Sequence, residues 1–253
     1  MFKLLPADDE THHARHDETL IALAAEQGPH ACIWETSQGL VVPRTYQRFS
    51  PFQQACEDFA AQGWPITVRQ SGGGIVPQGP GILNLSLAYA VQGKPLDHSD
   101  DAYLLICRVI GEALQDYGVA AQPQAVEGSF CDGRYNLAVG SGDQARKIAG
   151  TAQLWRRHPA SPGADHGGAG HRGAGHRSAG HRQVVLVHAL ILASIDVAAI
   201  TRLANRFEQA IGSDKRYDAQ RAVSLSELCA PGAGARQLAG KLKQSLARRI
   251  AAI

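Results

Sequence analysis

Hydrophobic and polar positions along this chain follow two periods. Helical spacing marks residues 16–27, where Leu20, Ile21, Leu23 and Ala24 share a face until Gly28-Pro29 stops the run. It marks residues 50–61, with Ser50 expected as N-cap and Pro51 at the first helical position. The longest stripe is residues 100–117, built from Leu104, Leu105, Val109, Ile110, Ala113 and Leu114, with Gly118 as the stop. Residues 196–211 and 235–253 predict two further helices, and residues 225–228 a short one. Strands are predicted at residues 31–35, 40–43, 66–69, 83–91, 135–139, 147–155 and 184–192. In residues 83–91, Leu83, Leu85, Leu87 and Tyr89 fall on one face. Consecutive strands are mixed with helices, without the strict alternation of a doubly wound sheet. The pattern predicts an α+β fold with a largely antiparallel central sheet.

Composition narrows the class. The 253 residues are 44% hydrophobic with a formal charge of +2, which excludes a disordered chain and argues against nucleic acid as the main partner. The longest apolar stretch, residues 184–195, is interrupted by His188 and Ser194 and is too short to span a membrane. The N-terminus has no apolar core of the signal-peptide kind, so a cytoplasmic protein with reduced thiols is expected. Cys32, Cys56, Cys107, Cys131 and Cys229 form no CxxC pair and no zinc-like spacing, so no metal site is expected. One segment is low in complexity: His166, His171, His176 and His181 recur every five residues among Gly, Ala and Arg. That period puts successive His on different faces of a helix or strand, which pre-organises no metal site. A mobile Gly/His-rich insertion at about residues 160–182 is expected within a single domain spanning residues 1–253, with a cationic arm for an acidic partner as the alternative.

The candidate chemistry begins at Arg69-Gln70-Ser71-Gly72-Gly73-Gly74. Three Gly after a strand allow close backbone approach to a ligand. The run is neither GxGxxG before a helix nor a phosphate-binding loop ending in Gly-Lys-Ser/Thr. In context, RQSGGGIVPQGPGILNLSL resembles the glycine-rich motif of the biotin/lipoate protein ligase superfamily, the lipoate-protein ligase A family in particular. Downstream, EGSFCDGRYNLAVGSGDQARKIAGTAQ resembles its second signature, in which Arg146-Lys147-Ile148-Ala149-Gly150-Thr151-Ala152-Gln153 carries the lysine. His188-Ala189 stands where the family has His-Gly. The Ser129-Phe130-Cys131-Asp132-Gly133 turn before Tyr135-Asn136-Leu137 resembles the cysteine-dependent octanoyltransferases, with Asn136 in place of their Asp. The Gly81–Ser86 run is similar to that of amidotransferases taking octanoate from the glycine cleavage H protein.

The resemblance implies a central antiparallel sheet, a smaller sheet and flanking helices. It implies transfer of an octanoyl or lipoyl group to a lysine of a lipoyl-domain protein, such as the glycine cleavage H protein or 2-oxoacid dehydrogenase E2 subunits. An acyl carrier protein is a possible donor. On this reading Cys131 is the nucleophile, because a thioester splits one hard transfer into two easier ones, and Lys147 lowers the thiol pKa and stabilises the oxyanion. Arg69, Ser71, Gly72, Gly73, Gly74, Asn84, Gly150, Ala152 and His188 are expected to bind substrate, His188 being otherwise a general base or a core histidine. No cofactor is expected. Two alternatives stand beside it. One is an ATP- and Mg²⁺-dependent lipoate-protein ligase, whose His-Asp after the glycine run is Pro77-Gln78 here. The other is a non-catalytic lipoyl-domain-binding homologue, in view of Asn136 and Ala189.

Overall fold

The structure is a computed structural model that describes residues 1–6, 13–69, 72–159, 181–229 and 234–253. In chain order the elements are β1 (Lys3–Leu5), α1 (His13–Gln27), β2 (His30–Trp34), β3 (Gly39–Pro43), α2 (Phe52–Ala61), β4 (Ile66–Arg69), β5 (Val76–Gln78), β6 (Ile82–Val91), α3 (Pro95–Gln115), β7 (Gln122–Pro123) and β8 (Leu137–Val139). They continue with β9 (Arg146–Pro159), β10 (His181–Leu192), α4 (Val197–Ala210), α5 (Leu225–Leu228) and α6 (Ala235–Ala251). A seven-stranded sheet runs β1-β2-β6-β10-β9-β8-β7, and a three-stranded sheet runs β4-β3-β5. Within the large sheet only the β1–β2 pair is parallel, so the expected α+β fold with a largely antiparallel central sheet and a smaller second sheet is what the chain forms.

Period-two alternation decides what each face of the large sheet does. Leu83, Leu85 and Leu87 of β6 join Val185, Val187 and Ile191 of β10 in the main core, under the apolar stripes of α3 and α6. The opposite face is shared. Leu20, Ile21 and Ala24 of α1 cover one part of it, beside Cys32, Ala88 and Leu186. The small sheet, backed by Phe52 and Phe59 of α2 and Phe207 of α4, stands over the rest. Local signals fix the ends. Asp196 caps α4 by accepting from the Ala199 N–H at 2.8 Å, and Ser224 with Glu227 closes a capping box on α5.

Three expectations are corrected. Pro51, not Ser50, stands at the N-cap of α2, with no side-chain bond, and the helix begins at Phe52. Helix α3 starts at Pro95, because Pro is pre-organised for the first turn. Leu104 is 47% exposed; the buried stripe runs through Ala102, Ile106, Val109, Ile110 and Ala113. Strand β5 contains Pro77, which the small sheet accepts because β5 is its edge. Residues 160–180 of the His-rich segment, and with them its expected mobility, lie outside the described residues; His181 and Arg182 belong to β10 and pair with Pro159 and His158. No helix among the described residues is long and apolar enough to cross a membrane.

Candidate active site

The pocket lies between the two sheets. Strand register builds its floor in rows: Gly150, Leu190, Asn84 and Trp34 lie side by side across β9, β10, β6 and β2. The next row is Ala152, His188, Ser86 and Cys32, and the next begins with Leu154, Leu186 and Ala88. Gly150 and Ala152 keep the β9 side of the floor low, and Leu154 and Leu186 rise beyond them. The small sheet contributes Val41, Val68, Val76 and Gln78 from above. The result is a mostly aliphatic and aromatic slot, the kind of cavity that takes an acyl chain.

Its polar end is built around one turn. Cys131 has φ +55°, the only non-glycine residue with positive φ among the described residues, a strained conformation that turns up at functional sites. Three donors hold its carbonyl: the Gly133 N–H at 2.9 Å, Lys147 Nζ at 2.8 Å and Asn136 Nδ2 at 3.2 Å. Lys147 also donates to the Phe130 carbonyl at 2.5 Å. The ammonium is therefore a clamp on the backbone beneath the thiol, with one of its three protons left over. Gly150 makes room for it, since a Cβ there would come within 2.8 Å of Lys147 Nζ. Lys147 is 1% exposed, and burial pushes its ammonium down to about 8, opposed by the negative charges of Cys131 and Asp132 and reinforced by Arg69.

The cation set against the thiol itself is Arg69. A Cβ on Gly73, whose φ is +107°, would lie 2.8 Å from Cys131 Sγ and 3.0 Å from Arg69 Nη2, so both groups crowd the space a glycine leaves open. Arg69 donates to the carbonyls of Gly72 (3.0 Å) and Gly74 (2.7 Å). Burial lowers its guanidinium, and Cys131 draws it back up through charge and a hydrogen bond. Two other thiols are set apart from such chemistry: burial pushes Cys107 up to about 12, and burial followed by Glu57 raises Cys56. None of the five cysteines is in a disulfide.

The expected residues sort as follows. Cys131, Lys147, Arg69, Gly150, Ala152 and His188 border the slot, and Gly72, Gly73 and Gly74 form the turn beneath the thiol. Ser71 lies outside the described residues. Asn84 does not itself border the slot. It is buried in a two-way amide pair with Gln78 (2.9 and 3.0 Å), and Gln78 is the residue that faces the cavity. His188 meets Ser86 Oγ at 2.9 Å and the Trp34 ring at 5.8 Å, so it sits on the floor. Lys147 Nζ bonds the backbone behind the thiol, and the charge of Cys131 acts on it as well. Trp34, Gln78 and Gln153 went unpredicted as lining. The one sequence signal was Asn84 and Ser86, polar residues on the second face of an otherwise apolar strand. Among the described residues no cluster of three or more His, Cys, Asp or Glu could hold a metal ion.

An α+β sandwich of sheets with a strained thiol, a buried lysine and an acyl-shaped slot defines the class of protein, and comparison with known proteins gives the family. The model of the lipoyl protein ligase A/B catalytic domain matches residues 9–163. An uncharacterised protein of Cupriavidus necator is 51% identical over 208 residues, 82% of this chain and 77% of that protein. The octanoyl-[GcvH]:protein N-octanoyltransferase of Kyrpidia tusciae is 42% identical over 106 residues, 42% of this chain but only 35% of the transferase. A bi-partite lipoate protein ligase from Thermoplasma acidophilum shares the fold, with TM-score 0.63 and 13% identity over 99% of this chain and 82% of that one. The chain belongs to the lipoyl protein ligase A/B catalytic-domain family.

Proposed function

We propose that this protein is an acyltransferase that moves an octanoyl or lipoyl group onto a lysine of a lipoyl-domain protein through a thioester on Cys131. The observation that carries the reading is the Cys131 turn: a strained thiol at the end of an apolar slot, against a half-buried guanidinium and above a buried ammonium. The names of its octanoyltransferase relatives support the substrate class, and 2-oxoacid dehydrogenase and glycine cleavage lipoyl domains are the acceptors it implies. The Cys131 thiolate attacks the donor's acyl carbonyl, and the donor's amine or thiol leaves. The target lysine then attacks the thioester, and its lost proton balances the one the leaving group gained. Arg69 stabilises the thiolate, and Lys147, with one proton beyond the two its carbonyl partners take, serves the developing oxyanion. His188, Ala152 and Gly150 shape the acyl site. The chain acts as one catalytic unit with residues 160–180 as an insertion between β9 and β10.

The test gives purified protein and a lipoyl domain an octanoylated H protein, an octanoylated acyl carrier protein, or free octanoate with ATP and Mg²⁺. Transfer from an acylated protein, with a hydroxylamine-labile adduct mapped to Cys131 and lost in Cys131→Ser, is expected. Release of AMP coupled to modification, undiminished in Cys131→Ser, would establish the ligase alternative. Binding of the lipoyl domain without transfer from any donor would establish the non-catalytic one.

A further inference from the structure

Glu208 of α4 has no exposed surface, takes no part in the acyl slot and, among the described residues, bonds no cation directly. Burying a carboxylate is costly unless its oxygens are satisfied. Here Oε1 accepts from both the Tyr46 and the Tyr217 hydroxyl, the latter at 2.7 Å, while Oε2 has no partner among the described residues. Burial first and Glu208 second push both phenols far above their usual range, so both stay protonated donors at neutral pH.

The two tyrosines touch the glycine turn. The Ile75 N–H, of the residue after the Gly run, acts on the Tyr46 hydroxyl and partly offsets the rise that burial and Glu208 cause. The Tyr217 hydroxyl stands 3.2 Å from where a Cβ on Gly74 would lie, and its ring meets Phe130, the residue before Cys131, edge-on at 6.5 Å. Tyr217 is held from the same helix, because Asn205 donates to its carbonyl and accepts from its N–H, both at 2.8 Å. The Gly74 carbonyl in turn accepts the Arg69 guanidinium, which faces the Cys131 thiol. Glu208 thus reaches the thiol through the two tyrosine hydroxyls, the glycine turn and Arg69.

We infer that Glu208, Tyr46 and Tyr217 are positioning residues that fix the Gly74–Ile75 peptide and, through the Gly74 carbonyl, aim Arg69 at Cys131. The arrangement has a chemical logic. A carboxylate touching Arg69 would neutralise the charge the thiolate needs. Two neutral hydroxyls between them give the turn its anchor and leave the guanidinium to the sulfur.

The inference rests on the acyl-transfer reading only for its kinetic readout, because thiol reactivity needs no acyl donor. Iodoacetamide alkylation of Cys131 in the full chain, followed by peptide mass spectrometry, is therefore measured across pH for Tyr217→Phe, Glu208→Ala, Glu208→Gln and Arg69→Gln. Tyr217→Phe and Glu208→Ala are expected to slow alkylation at pH 7 by about threefold or more and to move its midpoint upward. Glu208→Gln, which keeps the acceptor, should stay within about twofold of wild type. The double variant Tyr217→Phe with Arg69→Gln should be no slower than Arg69→Gln alone, since both act on one group. In octanoyl transfer, kcat should fall with KM for the donor unchanged, as the slot is untouched. Wild-type alkylation in a folded Tyr217→Phe, or losses that multiply in the double variant, overturns the inference. Should Glu208→Ala not fold, Tyr217→Phe and its double variant decide the matter alone. If Cys131→Ser still transfers at the wild-type rate, the covalent reading falls, while the alkylation result stands on its own.

Discussion

Lys147 carries the largest consequence at the scale of single residues. Its ammonium falls from 10.5 to about 8 on folding because it is buried. Between those values the unfolded chain keeps a proton that the folded chain has released, so stability rises with pH across the window from 8 to 10.5. Below it both states are protonated, and the penalty is constant at about 3 kcal/mol in order of magnitude. Denaturant unfolding of wild type and Lys147→Met at pH 7.5 and 9.5 should show a rise of wild type relative to the variant; parallel behaviour of the two would refute the assignment. On the proposed mechanism acyl transfer should move oppositely, declining above about pH 8 as Lys147 loses its proton. Asn136 offers the complementary change. Its Nδ2 holds the Cys131 carbonyl, and its Oδ1 is buried with no hydrogen-bond partner among the described residues, on the same side of Gly150 as Lys147 Nζ. Asn136→Asp would place a carboxylate there, raise the ammonium and carry the alkaline limb of the rate profile upward by about one pH unit. A limb that stays in place would mean that another group titrates.

At the scale of elements, the low β9 side of the slot is a property of register. Gly150 and Ala152 lie opposite Leu190 and His188, and Leu154 with Leu186 closes the next row. Ala152→Leu adds bulk to the low part of the floor, so it should shift preference from eight-carbon to shorter acyl donors, with a loss of about tenfold or more for octanoyl. Competition between butyryl and octanoyl donors measures this, and an unchanged ratio would put the acyl chain elsewhere. Much of this architecture is legible in the sequence. Leu83, Leu85 and Leu87 announced the core face of β6, and Asp196 announced the start of α4. Cys131 and Lys147 stood out because the resemblance singles out that turn and that strand. What stayed hidden depends on partners far away in the chain. Tyr46 and Glu208 read as one aromatic in a loop and one polar residue in a helix, and only the fold makes them a hydrogen-bonded pair. The role of Arg69 was hidden for the same reason, since the thiol it faces lies on the turn before β8. Leu104 misled because helical periodicity tolerates a neighbour drifting off the stripe, and the placement of α3 on the sheet decided which edge was wet.

At the scale of the whole molecule the question is what residues 160–180 add. Strands β9 and β10 pair without interruption from His181 opposite Pro159 to Ile191 opposite Ala149, and β10 is held on its other side by β6. Register in a strand buried on a core face is set by its side-chain alternation, so β9–β10 pairing does not need the connection to define it. The strand ends at Pro159 and His181 are direct partners, which a two-residue Asn-Gly turn can join. Loop-closure entropy varies slowly with length, so the replacement should alter stability by no more than about 2 kcal/mol, and in the favourable direction. Thermal unfolding of the chain with residues 160–180 replaced by Asn-Gly should therefore match or slightly exceed wild type; a substantially lower Tm would show that the segment packs on the domain. Two activities then separate fold from recognition. Acylation of Cys131 by a small octanoyl thioester depends on the slot and the turn, none of which the replacement touches, and should persist unchanged. Transfer onwards to a lipoyl domain depends also on docking. The segment carries His166, Arg172, His176 and neighbouring basic residues, so any part it plays in docking is electrostatic and fades with salt. If transfer to the lipoyl domain drops at low ionic strength and equals wild type at high ionic strength, the segment is a steering arm for an acidic partner. If both activities are unchanged at every salt concentration, recognition resides wholly in the domain built by the two sheets.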